Sequence, residues 1–170
     1  MATRTLTHPT RDTWELTVSV ERVPVVQEIR YWMRTPAITV NLAAPLGEAL
    51  AQMHEHDVRR LPVVRDTGAL CGVITLGDIR GADILRAAGV DRFDVAGALQ
   101  HINVSQVMAE QPISITPATG LREAAMLMIE NKIGGLPVVD AEHMVIGIIT
   151  ESDLFEALVQ QLDTAAGATG

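Results

Sequence analysis

The sequence predicts an α/β (α+β) fold of two β-α-β-β-α repeats packed sheet to sheet with pseudo-twofold symmetry. Three observations predict it. The chain matches itself at an offset of 75, aligning residues 33–80 with 108–155 without a gap and with 16 identical pairs among 48. Each copy alternates short apolar runs with stretches whose apolar residues recur at helical spacing. One such unit, with helices on one face of its sheet, leaves the other face bare, so a second copy is expected to cover it.

The elements follow in order. Residues 1–24 form an N-terminal extension, polar over 1–13; alternation of Leu16, Val18 and Val20 with Glu15, Thr17, Ser19 and Glu21 makes 14–20 a candidate extra strand. Ile29, Trp32 and Met33, and correspondingly Val104, Val107 and Met108, fall at i, i+3, i+4 and predict a short amphipathic helix ahead of each first strand. Those strands are expected over 37–40 and 112–116. Leu46, Ala49, Leu50 and Met53, matched by Leu121, Ala124, Ala125 and Met128, give each copy a helix with one apolar stripe.

Leu61 to Val64 and Leu70 to Ile74 then flank Asp66-Thr67-Gly68, while Leu136 to Val139 and Val145 to Ile149 flank residues 140–143. Connections this short imply antiparallel hairpins. Thr75 starts a helix running through Ile79, Leu85 and Arg86, and Thr150 starts one through Leu154, Leu158 and Leu162. The first crossover of each unit is expected to be parallel and right-handed. We assign repeat 1 to 25–90, a connector to 91–103, repeat 2 to 104–162 and a flexible tail to 163–170; glycines 81, 89 and 97 punctuate the passage between the copies.

Composition narrows the function classes. A hydrophobic fraction of 48% in 170 residues supports a sizeable core. The net charge of −8 gives no basic footprint for nucleic acid or an anionic membrane. No apolar stretch approaches the ~20 residues that span a bilayer, and the N-terminus lacks the apolar segment of a secretory leader. With a lone cysteine, Cys71, which forbids an internal disulfide or a multi-cysteine zinc site, a cytoplasmic location is expected. Cys71 itself lies in an apolar run and reads as a core residue. His54 and His56 stand two apart, against the i, i+3 or i+4 spacing of helical metal ligands, so no metal site is expected. His143 falls in the second hairpin turn, and Met53, Met126, Met128 and Met144 read as packing residues. The chain has no Gly-x-Ser-x-Gly elbow, no Gly-x-x-x-x-Gly-Lys loop and no His-x-x-x-His pair, so no catalytic residue and no required cofactor is expected.

The motifs that carry chemistry sit where strand meets helix. Thr75-x-x-Asp78 and Thr150-x-x-Asp153 fit a capping box, in which hydroxyl and carboxylate satisfy free N–H groups. The same carboxylates fit a second role, accepting hydrogen bonds from the vicinal hydroxyls of a ribose beside a helix N-terminus. Arg59-Arg60 precede Leu61-Pro62 where the second copy has Gly134-Gly135, with Lys132 just upstream. The arginines read either as a solvated pair or as a phosphate fork, and the glycines as room for a ring or a neighbouring backbone.

The tandem Leu-Pro-Val-Val before each hairpin, closed by Gly-Val-Ile-Thr-Leu-Gly-Asp or Gly-Ile-Ile-Thr-Glu-Ser-Asp, resembles the CBS domain pair, or Bateman module, over roughly residues 25–162. The resemblance implies a stand-alone regulatory module, commonly a homodimer. Such a module senses adenine nucleotides (AMP, ADP, ATP) or a related adenosyl ligand in clefts between the copies and acts on a partner protein in trans. It implies ribose contacts at Asp78, Asp153, Thr75 and Thr150, phosphate contacts at Arg59 and Arg60, and a base or cleft lining from Ile38, Thr39, Pro62, Ser114, Gly134, Gly135 and Pro137. The helices after Thr75 and Thr150, with Ile79, Leu154 and Leu158, are the expected dimer seam. The rival reading is a CBS-fold interaction dimer that binds no nucleotide; an enzyme with an unrecognised site is the weakest alternative.

Overall fold

The computed structural model describes residues 28–81 and 95–167. The expectations for 1–24, for the helix through Leu85 and Arg86, and for the last three residues lie outside the described residues.

Repeat 1 runs β1 (Val40–Asn41), α1 (Leu46–Glu55), β2 (Arg60–Val64), β3 (Leu70–Thr75) and α2 (Leu76–Arg80). After α3 (Val95–Ala98), repeat 2 supplies β4 (Ala109–Glu110), α4 (Leu121–Asn131), β5 (Gly135–Val139), β6 (Val145–Thr150) and α5 (Glu151–Gly167). β1 lies parallel to β2, and both hairpins, β2–β3 and β5–β6, are antiparallel with matched registers: Leu61 faces Ile74 and Leu136 faces Ile149. The stripe residues Leu46, Ala49 and Met53 of α1, and Leu121, Ala124 and Met128 of α4, are buried against their own hairpins, and Leu50 is half-buried. Each fully buried aliphatic side chain contributes about 1.5–3 kcal/mol. Ile79 is buried in the first core rather than on a free face, so it forms no part of a dimer seam.

The two copies exchange their lead-in segments. Ile29, in a 3-10 turn over Ile29–Tyr31, is buried in the second core, and Arg34 bridges Ile148 of β6. Reciprocally, Val104, in the turn Val104–Gln106, is buried in the first core, and β4 pairs with β3 through Ala109 and Val73. The expected amphipathic helices are these single turns, each packed on the other repeat. Gly72 and Gly147 make the exchange possible. A Cβ at Gly147 would stand 2.9 Å from the Arg34 carbonyl oxygen and 2.9 Å from Met33 Sδ; one at Gly72 would collide with Met108 Sδ and stand 3.1 Å from the Ala109 carbonyl oxygen.

The exchange also shortens the first strands. The chain leaves β6 at Arg34 and joins β2 only at Val40; it leaves β3 at Glu110 and meets β5 only at Ile115, in a parallel bridge with Val138. The residues between cross from one sheet to the other, so the expected strands over 37–40 and 112–116 reduce to β1 and to that single bridge.

Equivalent positions meet at both ends of the paired hairpins. Ala69 bridges Met144, with Leu70 N–H donating to the His143 carbonyl at 3.1 Å. At the far end the Arg60 guanidinium lies over Gly135. Residues separated by the repeat offset touch only on the axis that relates the copies, so these contacts mark the pseudo-twofold. The second repeat ends differently from expectation: α5 continues through the assigned tail to Gly167, with Thr164 Oγ1 donating to the Gln160 carbonyl at 2.8 Å. Ala165 and Ala166 in that stretch are strong helix formers.

Candidate ligand-binding clefts

Each hairpin ends in a Thr that stops the strand and starts the helix. At the first junction Asp78 Oδ2 accepts from Thr75 N and Thr75 Oγ1, both at 2.7 Å, and Thr75 Oγ1 accepts from Asp78 N at 3.2 Å. At the second, Asp153 Oδ2 accepts from Thr150 N and Thr150 Oγ1, again both at 2.7 Å. Both acids are therefore capping residues, and in both the cap uses the same single oxygen.

The other oxygen separates the junctions. Asp78 is half-buried, and among the described residues nothing donates to its Oδ1. Asp153 is the one buried charged residue among the described residues, 2% exposed, and its Oδ1 accepts from Arg34 Nε at 3.0 Å. Arg34 reaches it because the exchanged lead-in lays residues 34 and 35 along β6, where Thr35 Oγ1 also donates to the Ile146 carbonyl at 2.8 Å. The position equivalent to Arg34 beside Asp78 is Ala109, which carries no charge.

The arginine pair divides as well. Arg59 is exposed, and its carbonyl caps α2 by accepting from Leu76 N at 2.8 Å; Arg60 turns inward toward the second repeat. A Cβ at Gly134 would stand 2.6 Å from Arg60 Nη2 and 2.8 Å from Glu151 Oε2, and one at Gly135 would stand 2.9 Å from Arg60 Nη1. The glycines thus make room for this guanidinium rather than for a ring. Burial pushes the Arg60 group below its ordinary range, Glu151 pulls it back up, and Arg59 adds to the lowering. Lys132 instead takes a left-handed C-cap on α4 and lines a groove between α4 and α5.

Ile38 and Thr39 lie on one crossing segment and Ser114 on the other, all half-buried. Pro62 and Pro137 are buried inside β2 and β5 and present no surface to a cleft. Sequence reasoning missed Arg34 and Glu151. Both stand at positions where the copies differ in charge, Arg34 against Ala109 and Glu151 against Leu76, and that mismatch was the available signal. His54, His56 and His143 are exposed, and the described residues hold no cluster of three metal-ligating side chains. Burial pushes the Cys71 thiol up, against Arg65 and with Glu110. No helix among the described residues is long and apolar enough to cross a membrane.

Comparison with known proteins adds independent findings. The family model for the CBS domain matches residues 26–85 and 104–160. A CBS domain-containing protein of Dictyostelium discoideum is 34% identical over 135 residues, covering 79% of this chain and 93% of its own. Among solved structures, CBSX2 in complex with AMP, a protein of Arabidopsis thaliana, superposes with a TM-score of 0.65 at 27% identity, covering 78% of this chain and 96% of that one. The CBS domain pair of protein MJ0100 in complex with 5-methylthioadenosine and S-adenosyl-L-methionine gives 0.64 at 25% identity, with 80% and 98% covered.

Proposed function

This chain belongs to the CBS domain family as a tandem pair, and we propose that it is a ligand-binding regulatory module that senses adenine nucleotides at the two strand-helix junctions. The observation that carries the reading is the orientation of Asp78. Its Oδ2 is fixed by the Thr75 cap while Oδ1 stays open beside the start of α2. A carboxylate held in that way accepts ribose hydroxyls without first losing a partner. In this reading Asp78 and Asp153 hold ribose with Thr75 and Thr150 orienting them, and Arg59 and Arg60 hold phosphate. Ile38, Thr39, Ser114, Gly134 and Gly135 shape the space beside them, and Pro62 and Pro137 support it from beneath. The AMP in the CBSX2 structure and the adenosyl compounds in the MJ0100 structure support the ligand class.

Calorimetric titration with AMP, ADP, ATP and S-adenosylmethionine tests this. Binding without turnover is expected, with Asp78→Asn weakening it about tenfold or more, because a hydrogen bond to a charged group is worth about 1.5–3 kcal/mol. Silence with all four ligands rejects the reading.

A second reading, a cytoplasmic homodimer that works through protein contact and acts on its partner in trans, has its own observation. Phe155, Leu158, Val159 and Leu162 on α5 and Ile129 on α4 are 66, 50, 57, 60 and 69% exposed, and several line a groove of about 700 Å³ between the two helices. A contiguous apolar face of this kind fits a second copy. Light scattering is expected to report a dimer that Phe155→Glu converts to monomer; a monomeric parent removes the dimer.

A further inference from the structure

The Arg34–Asp153 pair makes the two clefts chemically unequal. The Asp153 carboxylate is buried, with 3% of its side chain exposed, under an arginine whose side chain is 62% exposed. Both its oxygens are occupied, Oδ2 by Thr150 and Oδ1 by Arg34. Asp78 has the same cap but meets no cation among the described residues, since Ala109 stands where Arg34 would.

We propose that Arg34 is a specificity-determining residue that makes the Asp153 cleft select adenosyl ligands carrying negative charge, while the Asp78 cleft has Ala109 in its place and no such gate. This rests on the adenosyl reading above. Ribose hydroxyls reach Asp153 Oδ1 only by displacing Arg34. A neutral nucleoside that does so replaces the hydrogen bond but not the positive charge, and leaves a buried carboxylate without its counter-ion. A nucleotide differs, because its phosphate offers the displaced guanidinium a bidentate, charge-assisted partner. The mobile group is the exposed one: Arg34 swings through water while Asp153 stays fixed by Thr150. At Asp78 no ion pair has to be broken, so the discrimination that displacing Arg34 imposes is absent there.

The test isolates the second cleft with Asp78→Asn and compares adenosine with AMP by calorimetry, alone and combined with Arg34→Ala or Arg34→Lys. In the Asp78→Asn protein AMP is expected to bind at least tenfold more tightly than adenosine. Arg34→Ala should reduce that ratio at least tenfold, partly by tightening adenosine, a gain that simple damage to the fold does not produce. Arg34→Lys keeps the charge without the fork and should give an intermediate ratio; it carries the test if the alanine variant folds poorly. A ratio within about twofold of the parent in both Arg34 variants overturns the selectivity role while leaving the adenosyl reading intact. Binding by the unmutated protein that vanishes entirely in Asp78→Asn also overturns it, since the Asp153 cleft then takes no adenosyl ligand. A protein that binds neither probe in any form loses both readings.

Discussion

At the two strand-helix junctions the backbone and the caps coincide while the charge does not. Thr75 with Asp78 and Thr150 with Asp153 make the same pair of 2.7 Å hydrogen bonds, yet one carboxylate stays half open and the other is sealed by Arg34. The difference comes from neither junction. It arrives on the lead-in of the opposite repeat, at a position that is arginine in one copy and alanine in the other. Exchange of lead-ins therefore lets each repeat tune the other's site: the frame is duplicated, and a single imported side chain sets its electrostatics.

Breaking the exchange should have the largest effect. Ile29→Ala removes a fully buried side chain and is expected to cost about 2–5 kcal/mol. If Ile29 serves the second core, loss of amide protection will concentrate in β5 and β6 although the mutation lies in repeat 1 in sequence. Val104→Ala, a smaller deletion, should loosen β2 and β3 in the same crossed sense. Hydrogen exchange checks both, and a loss confined to each residue's own repeat would rule out the exchange.

Next come the glycines that admit the lead-ins. Gly147→Ala sets a Cβ 2.9 Å from the Arg34 carbonyl oxygen, a backbone atom, and should cost about 1–3 kcal/mol as overpacking does. At Gly72 the tightest contact is the flexible Met108 side chain, and the backbone oxygen is slightly farther, at 3.1 Å. Gly72→Ala should therefore be the milder of the two in thermal denaturation. Equal costs would mean that the two docking sites yield equally.

Much of this was legible in the sequence because it is local. Hairpin register follows from short connections between apolar runs, and the buried faces of α1 and α4 follow from the spacing of Leu46, Ala49 and Met53 and their counterparts. The Thr-x-x-Asp caps were legible for the same reason. The exchange was not: periodicity says that Ile29 and Val104 seek a core, but not which core. The short first strands follow from that same ambiguity, since residues 35–39 spend their length crossing between sheets. Arg34 escaped notice because its partner lies 119 positions away, and the helical tail because Thr164 to Gly170 are small and polar while Ala165 and Ala166 among them favour helix.

The smallest expected effect lies in the caps themselves and reads burial directly. Thr75→Val and Thr150→Val each remove one hydroxyl donor to a carboxylate while keeping the side chain's shape. Loss of an N-cap hydroxyl costs about 1 kcal/mol, and at Asp78 the freed Oδ2 lies in a half-buried site where water replaces part of the bond. Asp153 is 2% exposed, so its Oδ2 keeps only the Thr150 N–H and gains little from solvent. A buried acceptor left short of a donor adds a desolvation penalty of about 1–3 kcal/mol at most, softened here because Arg34 still neutralises the carboxylate from Oδ1. Thr150→Val should therefore lower stability more than Thr75→Val, by about 1 kcal/mol or less. The excess should grow when Arg34→Ala is combined with Thr150→Val, and a double-mutant cycle measures that coupling. Strict additivity there, within about 0.3 kcal/mol, would mean that Arg34 and Thr150 hold Asp153 independently, and that the seal on the second cleft opens without disturbing the cap beneath it.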